Sequence, residues 1–179
     1  MLRLFYPYEY VSSVFDIDYQ KLYQQGYRAV MFDIDNTLVP HGKDSTPDVD
    51  ALFDRIHQVG LQTFLLSNNS EERIQRCLRN IDSQYLFDAQ KPKPANYLRA
   101  VQILGVKKEE VLFVGDQIFT DILGANLAGI DNILVAYIRR KDETKIGIRR
   151  NLEKIVLKCY SISKRYQHRL GAIEKKEKV

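Results

Sequence analysis

The chain has 179 residues, 45% hydrophobic and 28% charged, which is ordinary globular composition for one domain with at most a short appendage. It has no apolar run near the ~20 residues that cross a bilayer, and its first residues, Met1-Leu2-Arg3-Leu4-Phe5-Tyr6-Pro7, lack the long apolar stretch and cleavage site of a signal peptide, so a cytoplasmic protein is expected. The net charge of +4 hides an asymmetry, since residues 1–138 carry 13 Lys/Arg against 18 Asp/Glu and residues 139–179 carry 14 against 5, which points to a partner for the tail rather than a property of the whole fold.

Residues 1–27 are rich in aromatics, among them Phe5, Tyr6, Tyr8, Tyr10, Phe15, Tyr19, Tyr23 and Tyr27. They are expected to pack on the core, with a membrane-interface or substrate-side surface as the alternative. A strand-like run, Arg28-Ala29-Val30-Met31-Phe32, four of its five residues apolar, then meets the acidic cluster Asp33-Ile34-Asp35. A helix is expected over 46–59, with Pro47 in its first turn, Val49, Leu52, Phe53 and Ile56 on one face, and Gly60 at its end. The strand-like run 61–66 ends at Ser67-Asn68-Asn69, and Ser70-Glu71-Glu72 opens a helix running to about Arg79. Residues 85–87 form a short strand candidate.

After Lys91-Pro92-Lys93-Pro94 a helix spans 95–104, a buried strand 111–114 ends at Gly115-Asp116, a helix spans 120–128, and a further strand spans 132–135. In the tail, Ile148, Leu152, Ile155, Val156, Cys159, Ile162, Tyr166 and Leu170 recur every three to four residues among Lys154, Lys158, Lys164, Arg165 and Arg169, the pattern of a basic amphipathic helix. Cys77 and Cys159 give no disulfide framework and no metal-ligand spacing and read as reduced thiols in or near the core. His41, His57 and His168 are given no chemical role.

Strands alternating with helices imply an α/β fold, a Rossmann-like parallel sheet covered on both faces. The ligand site of such a sheet lies outside the carboxyl ends of its strands. Asp33 with Asp35, Ser67, Lys91 and Asp116 all follow strand-like runs. Two carboxylates two residues apart raise each other's protonation cost, and a cation relieves it. Hard oxygen ligands of this kind suit Mg²⁺ with phosphate oxygens and water.

Asp33-Ile34-Asp35-Asn36-Thr37-Leu38 resembles the first motif of the haloacid dehalogenase (HAD) superfamily. Leu65-Leu66-Ser67-Asn68, Lys91-Pro92-Lys93-Pro94 and Gly115-Asp116-Gln117-Ile118-Phe119-Thr120-Asp121 resemble the second, third and fourth, in order, over about residues 28–136. The arrangement is most similar to the IIIA branch and its YqeG-type bacterial members. The resemblance implies Asp33 as the nucleophile that becomes an aspartyl-phosphate, and Asp35 as the acid that protonates the leaving oxygen and then activates water. It implies Mg²⁺ held by Asp33, the main-chain carbonyl of Asp35 and Asp116. Ser67, Asn68 and nearby amides would bind the phosphoryl group, with Lys91 offsetting its charge and that of Asp33. Thr37 and Asp121 would support the site. The spacing of the third motif selects Lys91 over Lys93.

Between Thr37 and Ser67 lie 29 residues, and between Asn69 and Lys91 lie 21. Both stretches are used by core elements, so a HAD-like core without a cap domain is expected. The expected organisation is an N-terminal segment (1–27), a phosphatase core (28–138) and a basic helical tail (139–179). An open site admits a large or surface-bound substrate, and it can borrow a lid from another subunit in an oligomer. The tail either docks on the core with a solvated basic face or contacts anionic lipid at the inner face of the membrane. Nucleic acid ranks lower, because no recognition motif is present. The phosphomonoester reading extends to phosphatidylglycerophosphate, since similar proteins include phosphatases of that lipid. A soluble nucleotide or sugar phosphatase, or a non-catalytic binding protein, is the alternative.

Overall fold

The computed structural model describes residues 2–139 and 147–175. The parts of the expected tail at 140–146 and 176–179 lie outside the described residues. Six strands, β1 (Glu9–Val11), β2 (Ala29–Phe32), β3 (Gln62–Leu66), β4 (Gln84–Leu86), β5 (Val111–Gly115) and β6 (Asp131–Val135), form one parallel sheet in the order β1-β6-β5-β2-β3-β4. The helices are α1 (Tyr19–Gln24), α2 (Pro47–Val59), α3 (Glu71–Cys77), α4 (Pro94–Leu104), α5 (Leu123–Ala128) and α6 (Ile148–Ile162).

The central strands are continuous apolar runs because both of their faces are covered. Side-chain alternation sends Val30, Phe32, Leu65, Leu112 and Val114 toward α1, α2 and α3, where they meet Leu22, Leu52, Phe53, Ile56 and Ile74. It sends Ala29, Met31, Phe64, Val111 and Phe113 toward Tyr97 and Ala100 of α4 and Ala125 of α5. A third cluster seats Val156 and Tyr160 of α6 on Tyr6, Ile118, Ile122 and Leu134. Helix α2 begins where expected: Thr46 accepts the Val49 N–H at 3.3 Å, Pro47 takes the first turn, and Gly60 ends it at φ 97°, a left-handed angle that favours glycine.

Several elements depart from the sequence reading, α1 among them, since no helix is expected within residues 1–27. Residues 9–11 add an edge strand, paired with β6 in register Glu9↔Ile133. The helix expected from Thr120 starts earlier, as a π turn Ile118–Ile122 that leads into α5. The tail helix stops at Ile162 rather than running to Leu170. Ser163 Oγ donates to Cys159 O at 2.8 Å, and Gln167 Nε2 donates to Tyr160 O at 2.7 Å and Ser161 O at 2.8 Å. The last carbonyls are thus satisfied by side chains, and the chain turns back. Leu170 and Ile173 then join the core of α1 and α2. No described helix is long and apolar enough to cross a membrane.

The chain runs β2, β3, β4 in one direction and then returns to place β5 on the other side of β2. The strand order reverses between β2 and β5, and the crevice at such a switch point is where ligands of open α/β sheets bind.

Candidate active site

Asp33 follows β2 directly and extends the ladder, its N–H donating to Val114 O at 2.9 Å. Asp116 follows β5, Ser67 follows β3, and Lys91 sits in the loop after β4. Lys91 Nζ lies 2.5 Å from Asp33 Oδ1 and 2.7 Å from Asp121 Oδ1, and all three groups are buried. Burial works against the lysine charge, but Asp121 and Asp33 outweigh it and raise the Lys91 pKa. Asp121 is placed by the π turn. Its Oδ2 accepts the Gln117 N–H at 3.0 Å, and the Tyr97 hydroxyl donates to Thr120 O and Asp121 O at 3.1 and 3.3 Å.

Asp33, Asp116 and Asp121 each bring a carboxylate oxygen within 4.8 Å of the others, and all are buried. Burial pushes Asp33 up to about 6 against the pull of Lys91. Burial, with Asp121 nearby, pushes Asp116 up to about 8 against Arg150. The trio therefore holds more negative charge than its protein partners relieve. Its all-oxygen donor set fits a hard divalent cation such as Mg²⁺. Thr37 Oγ1 donates to Asp116 Oδ1 at 3.1 Å.

The Asp35 carboxylate faces elsewhere. Its Oδ1 accepts from Gly42 N and Arg73 Nη2, both at 2.8 Å, and its Oδ2 accepts from Asn69 Nδ2 at 2.6 Å, with His41 Nδ1 at 3.5 Å. Burial favours its neutral form, yet the Gly42 N–H, Arg73 and Asn69 together lower its pKa. The side chain is thus apart from the acidic trio.

Ser67 Oγ accepts from Asn69 N at 3.3 Å and Asn69 Nδ2 at 2.9 Å. Asn68 faces Lys91: its Oδ1 accepts Lys91 N at 2.7 Å and its Nδ2 donates to Lys91 O at 3.3 Å. Both polar atoms of that amide, expected to meet phosphate, fasten the lysine loop. Helix α3 is capped by Ser70, not Ser67.

Sequence reasoning missed Asn69, Arg73 and Arg150. Asn69 stands beside a quoted motif and Arg73 follows it by one helical turn, so a helix opening at Ser70 could have suggested both. Arg150, in the first turn of α6, donates from Nη2 to Asp116 Oδ2 and from Nη1 to Asp116 O at 2.7 Å. Nothing in the sequence marks it among its basic neighbours.

Residues 42–129 match the family model of the haloacid dehalogenase-like hydrolases. A Bacillus subtilis protein named "Probable phosphatase YqeG" is 31% identical over 156 residues, covering 87% of this chain and 91% of its own length. Pyrophosphatase PpaX of Halalkalibacterium halodurans is 29% identical over 97 residues, 49% of this chain and 45% of its own. The crystal structure of an uncharacterized protein from Listeria monocytogenes serotype 4b matches with a TM-score of 0.53 at 19% identity, over 75% of this chain and 99% of that one, and shows the fold alone.

Proposed function

The chain belongs to the haloacid dehalogenase-like hydrolases and is a phosphatase, and from that premise we propose that it hydrolyses a phosphomonoester through an aspartyl-phosphate on Asp33. The observation that carries this reading is the buried Asp33–Lys91–Asp121 chain beside Asp116. Asp33 Oδ attacks phosphorus, the bond to the ester oxygen breaks, and Asp35 gives that oxygen its proton. Asp35 then takes a proton from water, whose oxygen attacks the phosphorus of the acyl phosphate and restores Asp33. Lys91 offsets the charge of Asp33 and of the phosphoryl oxygens. Ser67 and the amides after it bind those oxygens. Asp33, Asp116 and the Asp35 carbonyl would hold Mg²⁺, with Asp121 beside them. When bound, the ion supplies charge stabilisation to the transferring group.

A substrate presented at a lipid surface is favoured by one specific observation. Helix α6 leaves Ile148 80%, Leu152 47%, Ile155 61% and Ile162 75% exposed, with Lys154 and Lys158 on the same helix. An apolar stripe bordered by cations suits an anionic membrane surface, and phosphatidylglycerophosphate is such a substrate. One assay tests both levels. Wild type and Asp33→Asn are given a chromogenic phosphomonoester with and without Mg²⁺, and phosphatidylglycerophosphate vesicles. Mg²⁺-dependent phosphate release lost in a folded Asp33→Asn is expected, and unchanged release would refute the mechanism. Turnover of the soluble ester with none from vesicles would remove the lipid reading alone.

A further inference from the structure

We propose that Arg150, from the C-terminal helix α6, is a positioning residue of the divalent-cation site, so that the basic tail completes the active centre in cis. The inference rests on the reading of Asp116 as a cation ligand. It starts from a residue in an unfavourable place. Arg149 and Arg150 occupy the first turn of α6, which has no acidic residue there and no side-chain cap from Gly147. Cations at a helix N-terminus oppose its dipole. Where a local rule is broken, a compensating contact is expected.

That contact is Asp116. The Arg150 guanidinium takes both the carboxylate Oδ2 and the main-chain carbonyl of Asp116, whose side chain is fully buried. Thr37 holds the other carboxylate oxygen. The plane of the carboxylate is therefore fixed from both ends, and the peptide that carries it is fixed too.

Arg150 is itself held. Nη1 reaches Glu153 Oε2 at 2.9 Å, the guanidinium lies 4.6 Å from the centre of the Tyr137 ring, and Glu153 Oε1 accepts the Ile118 N–H at 2.8 Å. Glu153 thus ties α6 to the first residue of the π turn that carries Asp121. Through Arg150 and Glu153, one helix sets the relative position of two members of the acidic trio.

Two effects follow from general chemistry. A carboxylate already in its bound orientation loses less freedom when a cation arrives. The guanidinium also offsets repulsion among the three buried carboxylates, which would otherwise push Asp116 away from Asp33. Partners that orient metal ligands are typically worth about 10–100-fold in metal affinity. The competing possibility is that Arg150 occupies the cation's place and must be displaced. It predicts the opposite sign.

The experiment is titration of the full chain with Mn²⁺, followed calorimetrically and by the loss of its free-ion electron spin resonance signal. Wild type, Arg150→Met, Arg150→Lys and Lys154→Met are compared, with a thermal melt of each to confirm folding. Arg150→Met is expected to weaken Mn²⁺ binding by roughly tenfold or more. Arg150→Lys should recover part of the loss, and Lys154→Met, which removes the same charge one turn on, should leave affinity unchanged. Equal affinity in wild type and a folded Arg150→Met overturns the proposal, as does tighter binding in Arg150→Met. Equal weakening by Lys154→Met would reduce it to a general charge effect and overturn it as well. If Arg150→Met does not fold, the folded Lys variant decides by whether its affinity falls. No Mn²⁺ binding by wild type would refute the reading of the acidic trio itself, and the proposal with it.

Discussion

Asp33 and Asp35 are two residues apart and live in opposite electrostatic settings. Asp33 is pushed up by burial and shares its lysine with Asp121, whereas Asp35 is pulled down by the Gly42 amide, Arg73 and Asn69. An ionised Asp35 suits the water-activating half of the proposed cycle, which makes its partners catalytically relevant. Arg73 is buried and donates from one Nη2 to both Asp35 Oδ1 and the Lys43 carbonyl. Arg73→Gln is expected to raise the Asp35 pKa, since it removes a cation from a carboxylate. The acidic limb of the pH–rate profile should then move to higher pH. A limb that stays in place in a folded variant would dissociate Asp35 from the step that limits turnover. Asp33, Ser67 and Asp116 were legible because each directly follows an apolar run, and a strand end fixes where such a residue stands, whereas Lys91 stands in the loop beyond β4 and was legible through its Lys-Pro-x-Pro motif. Asn69, Arg73 and Arg150 were not legible, because what they touch is set by folding. Asn69 and Arg73 are 34 and 38 residues from Asp35, and Arg150 is 34 from Asp116.

At the scale of elements, the apolar runs of β2, β3, β5 and β6 were readable because strands buried on both faces need no alternation. Strand β1 escaped because Glu9-Tyr10-Val11 is three residues long and exposes Tyr10 at the sheet edge. The periodicity of the tail overstates the length of its helix, because periodicity does not reveal which core a residue joins: Val156 belongs to α6, whereas Leu170 packs with α1 and α2. The contact between α4 and α5 is a test of how packing positions Asp121. A Cβ added at Gly124 would lie 2.5 Å from the Tyr97 hydroxyl oxygen, and Tyr97 holds the carbonyls of Thr120 and Asp121. Gly124→Ala gains about 1 kcal/mol of helix propensity, while overpacking costs about 1–3 kcal/mol, and displacing a bonded buried hydroxyl adds about 0.5–1.5 kcal/mol. Net destabilisation with reduced activity is expected from denaturant midpoints and turnover. Tyr97→Phe in the same chain should recover little of the loss, because the ring carbons Cε2 and Cζ would still lie 2.6 Å from the added Cβ. A Gly124→Ala protein as stable and active as wild type would mean that α5 shifts freely without moving the π turn.

For the molecule as a whole, charge is the organising quantity, since an acidic body carries a basic tail that reaches into the acidic site through Arg150. The buried trio sets a pH dependence whose sign is fixed. Asp33 at about 6 and Asp116 at about 8 both lie above the 3.8 of a free aspartate. Between those limits the folded chain binds more protons than the unfolded one, so these two groups make stability fall as pH rises from about 4 to about 8. Asp35 acts in the opposite sense: its lowered pKa contributes stability above the free value that is lost as pH falls through the folded one. A divalent cation displaces protons from the trio, so its stabilisation must grow over the same window in which the cation-free protein weakens. The melting temperature gained on adding Mg²⁺ is therefore expected to be larger near pH 8 than near pH 6. Equal ionic strength of a sodium salt should not reproduce the gain, because screening of surface charges does not depend on protons leaving buried carboxylates. A gain that is the same at both pH values, or that sodium matches, would mean that the cation acts on the surface of the protein and not at Asp33, Asp116 and Asp121.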